Sequence, residues 1–70
     1  MYMSTHTALK GSPTYMAHRA RYGSILRLAV AVQIACDHST TLGDLVEESG
    51  MAQREDGGVD TAEMFAALGY

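Results

Sequence analysis

The sequence predicts a small all-α domain of three helices behind a flexible N-terminal arm, with no sheet. Three observations carry that expectation. Seventy residues are enough for one modest core and too few for two. Apolar residues between positions 14 and 36 recur at helical spacing. Two later segments each open on a capping residue with an acid three positions on. A hydrophobic content of 47% with 19% charged residues is that of a globular chain, which argues against wholesale disorder.

Residues 1–13 show no period, and Gly11-Ser12-Pro13 marks a break. They read as a flexible arm, with Tyr2, Leu9 or the methionines as anchors, ahead of one helical domain over residues 14–70. The first helix is expected from Thr14, as its cap, to Cys36. Tyr22, Ile25, Ala29, Val32 and Cys36 share one of its faces, with Leu28 at the edge. Leu26, Val30 and Ile34 form a second apolar stripe roughly 120° away. A helix apolar on two sides must be covered twice. Either the two later helices take one stripe each, or a second copy or partner protein covers Leu26, Val30 and Ile34.

Asp37-His38-Ser39 ends this helix, and His38 is placed to cap its carbonyls. Thr41 is the expected cap of a second helix over Leu42–Ser49, with Leu42, Leu45 and Val46 inward and Asp44, Glu47 and Glu48 in water. Gly50 supplies its left-handed stop. Residues 51–59 read as a loop broken by Gly57-Gly58. A third helix opens on Asp60, buries Met64, Phe65 and Leu68, and stops at Gly69.

The net charge of −3 conceals a split. Residues 1–36 carry Lys10, Arg19, Arg21 and Arg27 and no acid, whereas residues 37–70 carry all eight acids and Arg54 alone. Such asymmetry fits a polyanion partner, a transit peptide, or two halves that attract each other. The apolar run 25–36 reads as core, which speaks against a cleaved leader. No run approaches the ~18 apolar residues of a membrane span. The single cysteine excludes an internal disulfide and fits a reducing compartment, so a cytoplasmic location is expected.

Catalytic groups are scarce. Cys36, Asp37 and His38 are contiguous, and neighbours in sequence seldom aim at one reacting atom. Cys36 reads as a small core residue. Cys36, His38, His18 and His6 lack zinc-finger spacing, and no phosphate-binding glycine pattern occurs. No enzymatic activity, cofactor or metal is expected.

Leu42, Leu45, Val46, Gly50 and Met51, preceded by the apolar stretch 25–36, resemble the helix-turn-helix of IclR-type winged-helix regulators. The resemblance covers residues 25–51 and implies a helix-turn-helix-like scaffold. The family's recognition helix would follow Met51. Here that stretch, 52–68, holds two adjacent glycines and the acids Glu55, Asp56, Asp60 and Glu63, which repel phosphates. No wing is expected after it. The function read from the sequence is therefore a small regulatory protein that docks on another protein. It would be an inhibitor or adaptor of phage or plasmid type, anti-defence proteins included. Leu26, Val30, Ile34, Asp44, Glu47 and Glu48 are the interface candidates, and a homodimer is one form of that docking. The alternative is a DNA-binding transcription regulator that contacts phosphates through Lys10, Arg19, Arg21 and Arg27.

Overall fold

The computed structural model describes residues 4–70. The expected anchors Tyr2, Met1 and Met3 lie outside the described residues. Helix α1 spans Thr5–Leu9, α2 Pro13–Tyr22, α3 Leu28–Asp37, α4 Leu42–Ser49 and α5 Thr61–Ala67. Strand β1, Ile25–Leu26, pairs antiparallel with β2, Val59–Asp60, in the register Ile25–Asp60 and Leu26–Val59. The chain is mostly helical, as expected, but the described residues hold five helices and a small sheet rather than three helices alone.

The largest correction is the long first helix. Its cap lies two positions earlier than the expected Thr14: the Ser12 side chain accepts from the Tyr15 N–H, and Pro13 takes the first helical position, where its missing donor costs nothing. Its continuation past Tyr22 is stopped by Gly23, at φ +83° and ψ −160°, a conformation that L side chains avoid. The chain then runs extended through β1 and turns helical again at Leu28. A buried threonine fixes this corner. Thr61 donates its hydroxyl to the Gly23 carbonyl at 2.9 Å and its N–H to the Ser24 carbonyl at 2.9 Å. Its polar groups are thereby satisfied inside the core, where an unpaired hydroxyl is costly.

The segment expected as a loose loop is a tight hairpin. Gln53 bridges Val59 antiparallel to it, and the Arg54 N–H reaches the Gly58 carbonyl at 2.8 Å. Asp56 accepts from the Gly58 N–H at 2.9 Å, and Gly57 sits at φ +89°. A Cβ on Gly57 would come within 3.0 Å of the Leu28 methyls, so the hairpin tip packs directly on the start of α3.

Helix α5 is the hub. It packs against α1, α2, α4 and β2, and its Met64 and Phe65 are fully buried beside Tyr15, Leu26 and Val59. Each such side chain contributes about 1.5–3 kcal/mol by leaving water. Where the sequence suggests a flexible arm, α1 lies on α5 with Leu9 buried. Ser4 caps α1 by accepting from the Thr7 N–H.

The later caps match the sequence reading. Thr41 accepts from the Asp44 N–H and Asp60 from the Glu63 N–H, each at 3.1 Å. Gly50 ends α4 at φ +71°. Two helices end in the same six-residue pattern. In α3, Thr40 N–H bonds the Ala35 carbonyl and Ser39 N–H the Cys36 carbonyl; in α5, Tyr70 bonds Phe65 and Gly69 bonds Ala66. This is the Schellman arrangement, which needs a left-handed residue in between. Gly69 supplies it at φ +98°, whereas α3 uses Ser39 at φ +60°.

Candidate interaction surfaces

The splitting of the first helix redistributes its two apolar stripes. Leu26 is in β1, paired with Val59, and is 0% exposed; Ile34 is 5% exposed and Val30 half-buried. The chain therefore covers these three proposed seam residues itself. The other stripe is the bare one. Ile25 is 39% exposed, Leu28 45% and Val32 49%, and Ala29, Tyr22 and Cys36 are exposed with them. Cys36, expected in the core, is thus on the surface. Nothing in the sequence alone distinguishes the stripes, because both have helical spacing; the break at Gly23 decides which one turns inward.

A second surface is acidic. Asp44, Glu47 and Glu48 are all exposed on α4, and Glu55 and Asp56 are exposed at the hairpin tip. The one ion pair among the described residues, Arg54 to Asp56 at 3.8 Å, is local to that tip. Helix α4 has no basic residue in its last turn. Glu47 and Glu48 therefore stand near the negative end of the helix dipole, a placement that costs roughly 0.3–1 kcal/mol each. Local helix stability does not account for them.

The basic candidates are dispersed. Lys10 is at the end of α1. Arg19 is half-buried and donates to the Tyr15 hydroxyl at 3.1 Å, so it is committed to the fold. Arg21 lies 5.4 Å from the Tyr22 ring centroid. Arg27 lines an open groove of ≈ 310 Å³ between α2 and α3, together with His18, Tyr22, Gln33 and Asp37.

Each imidazole has protein partners. Tyr15 receives the Arg19 N–H at its hydroxyl, which is also hydrogen-bonded to His6 Nδ1 at 2.6 Å. Partial desolvation, then the charges of Arg19 and Lys10, hold the His6 pKa below its usual value, with Asp60 opposing. His18 Nδ1 donates to the Thr14 carbonyl at 2.8 Å. His38 caps α3 as expected, its Nδ1 donating to the Ile34 carbonyl at 2.8 Å, and its Nε2 is hydrogen-bonded to the Tyr70 hydroxyl at 2.8 Å. Among the described residues no three His, Cys, Asp or Glu side chains converge on a metal-sized site. No described helix is long and apolar enough to cross a membrane.

In comparisons with known proteins, the chain matches no family model, no curated protein and no solved structure.

Proposed function

We propose that this chain is a small non-enzymatic regulator that docks on a basic surface of another protein, as an inhibitor or adaptor, through α4 and the hairpin tip. The supporting observation is what those two elements carry. Helices α3 and α4 are joined by the short turn of residues 38–41 and are followed by the 53–59 hairpin. This order resembles a helix-turn-helix with a wing, displaced by one helix from the register that Leu42 to Met51 suggest by sequence. In such a scaffold the second helix and the wing meet the nucleic acid. Here those positions hold Asp44, Glu47, Glu48, Glu55 and Asp56 against Arg54 alone. Phosphates repel that surface, whereas a cationic protein groove attracts it.

Binding of duplex DNA is the second reading; Arg27 in the α2–α3 groove and Arg21 in a neighbouring hollow of α2, which shares His18 and Tyr22 with that groove, favour it. With Arg19 committed to Tyr15, three free cations remain: Lys10, Arg21 and Arg27. That reading gives a log–log salt slope of about −3. The two separate in one experiment. The immobilised chain, incubated with lysate of its native host, should retain a basic protein. Glu47→Lys with Glu48→Lys should abolish that retention, and Arg21→Ala with Arg27→Ala should leave it intact. Sequence-selective binding of duplex DNA at physiological salt, lost in the arginine variants and kept in the glutamate ones, would overturn the docking reading.

A further inference from the structure

The groove between α2 and α3 has a charged side chain at each end and apolar ones between them. Its volume of ≈ 310 Å³ is at the small end of the roughly 300–1,000 Å³ of small-molecule sites. Arg27, Val30, Gln33, Ile34 and Asp37 line it from α3 and fall within an arc of about 120° around that helix. Arg27 and Asp37 are about 15 Å apart along the axis, with Val30 and Ile34 as the apolar floor between them. From α2 comes the Tyr22 ring, 37% exposed, and Arg21 stands 5.4 Å from that ring in the adjoining hollow. We propose that this groove binds a guanine nucleotide, with the base at the Asp37 end and the phosphate at the Arg27 end.

Gln33 and Asp37 select the base. The Gln33 side-chain N–H donates to one oxygen of Asp37 at 2.9 Å. The Gln33 carbonyl oxygen and the second Asp37 oxygen are left as neighbouring acceptors, with no hydrogen-bond partner among the described residues. Two acceptors side by side need two donors side by side on the ligand. Among the common bases guanine places an N–H beside an NH₂ on its pairing edge. Adenine and cytosine alternate a donor with an acceptor, and thymine and uracil offer one donor between two acceptors. Tyr22 supplies an aromatic face, a contact that every base can make. Arg27 supplies the cation for the phosphate and has no ion-pair partner among the described residues. An arginine side chain of a protein partner also has a flat face and paired donors. Charge decides against it: Arg27 and Arg21 border this region against Asp37 alone, which repels a further guanidinium and attracts an anion. Glu47 and Glu48 of α4 do not line the groove, so nucleotide binding and protein docking are independent properties.

NMR titration of the isotope-labelled chain tests the proposal. Guanosine 5′-monophosphate should shift the amide signals of Ala29, Val30 and Gln33, the Gln33 side-chain amide included. Adenosine and cytidine 5′-monophosphates should bind about tenfold more weakly. Asp37→Asn turns an acceptor into a donor and should erase that preference. Guanosine without its phosphate should bind the wild type about tenfold more weakly than the nucleotide, and Arg27→Ala should remove that difference. Tyr22→Ala should weaken all three nucleotides alike, by about tenfold. These three side chains are exposed, so the circular dichroism of each variant should match the wild type. A thymine strand holding one guanine separates two sources of the ligand: tighter binding than the mononucleotide assigns a single-stranded nucleic acid, and equal binding a free nucleotide. Glu47→Lys with Glu48→Lys should keep the guanine preference, whatever becomes of protein docking. Wild-type signals unmoved by guanosine 5′-monophosphate at millimolar concentration overturn the inference. So do equal affinities for the three nucleotides, a preference that survives Asp37→Asn, or a groove that responds to arginine amide in their place.

Discussion

At the scale of single residues, His6 shows how the fold fixes a protonation state. Tyr15 is fully buried and must place its hydroxyl; it is hydrogen-bonded to His6 and accepts from Arg19. Desolvation of the ring, then the charges of Arg19 and Lys10, favour a neutral His6 and hold its folded-state pKa below the ordinary 6.5. In the unfolded chain His6 regains that ordinary value and binds its proton first as pH falls. Its contribution is therefore complete above pH 6.5 and is lost as pH drops below 6.5 towards the lowered value. In urea unfolding across this window the wild type should lose more stability than His6→Gln. Identical pH profiles for the two would show that the contact does not control the titration. The partnership itself was invisible in sequence, because the expected flexible arm gave His6 no place to be.

At the scale of elements, legibility followed the chemistry of the chain ends. Thr41, Gly50 and Asp60 were readable as caps because a short polar side chain or a glycine does its work within a few residues of itself. The bounds of α4 followed directly. The first helix failed for the opposite reason. Its apolar spacing continues through Gly23, and a glycine at a break looks in sequence like a tolerated glycine within a helix. What fixes the break is Thr61, thirty-eight residues away, which locks the Gly23 carbonyl. The hairpin was hidden in the same way, since its second strand, Val59–Asp60, pairs with the distant Ile25–Leu26. Two glycine exchanges test this account. Gly23→Ala forces a side chain into a left-handed region and should cost about 1–2 kcal/mol, although space around it is open. Ser39→Gly relieves the left-handed serine that closes α3 and should stabilise by about 1 kcal/mol. Thermal unfolding of both variants reads the result, and a stable Gly23→Ala chain would mean that the break is set elsewhere.

At the scale of the whole molecule, the division into a basic first half and an acidic second half suggests that charge attraction holds them together. The structure assigns that role to apolar packing instead. Helix α5, from the acidic half, meets α1 and α2, from the basic half, through Phe65, Tyr15, Leu9 and Met64. Tyr15 and Phe65 stack edge-to-face at 5.7 Å, and Tyr70 folds back on Phe65 at 5.1 Å. No ion pair joins the two halves among the described residues; the single pair, Arg54 with Asp56, is exposed and local. Exposed pairs contribute about 0–1 kcal/mol, and a change of 1 kcal/mol moves the Tm of so small a domain by roughly 4–8 °C. Raising sodium chloride from low to physiological ionic strength should therefore shift Tm by less than about 4 °C. The scan should be run at low protein concentration. A large loss of Tm with salt in that dilute regime would show that attraction between the halves holds the fold. A small shift leaves the exposed acids of α4 and the hairpin with no stabilising part in the fold, which is the condition under which they are free to serve a partner.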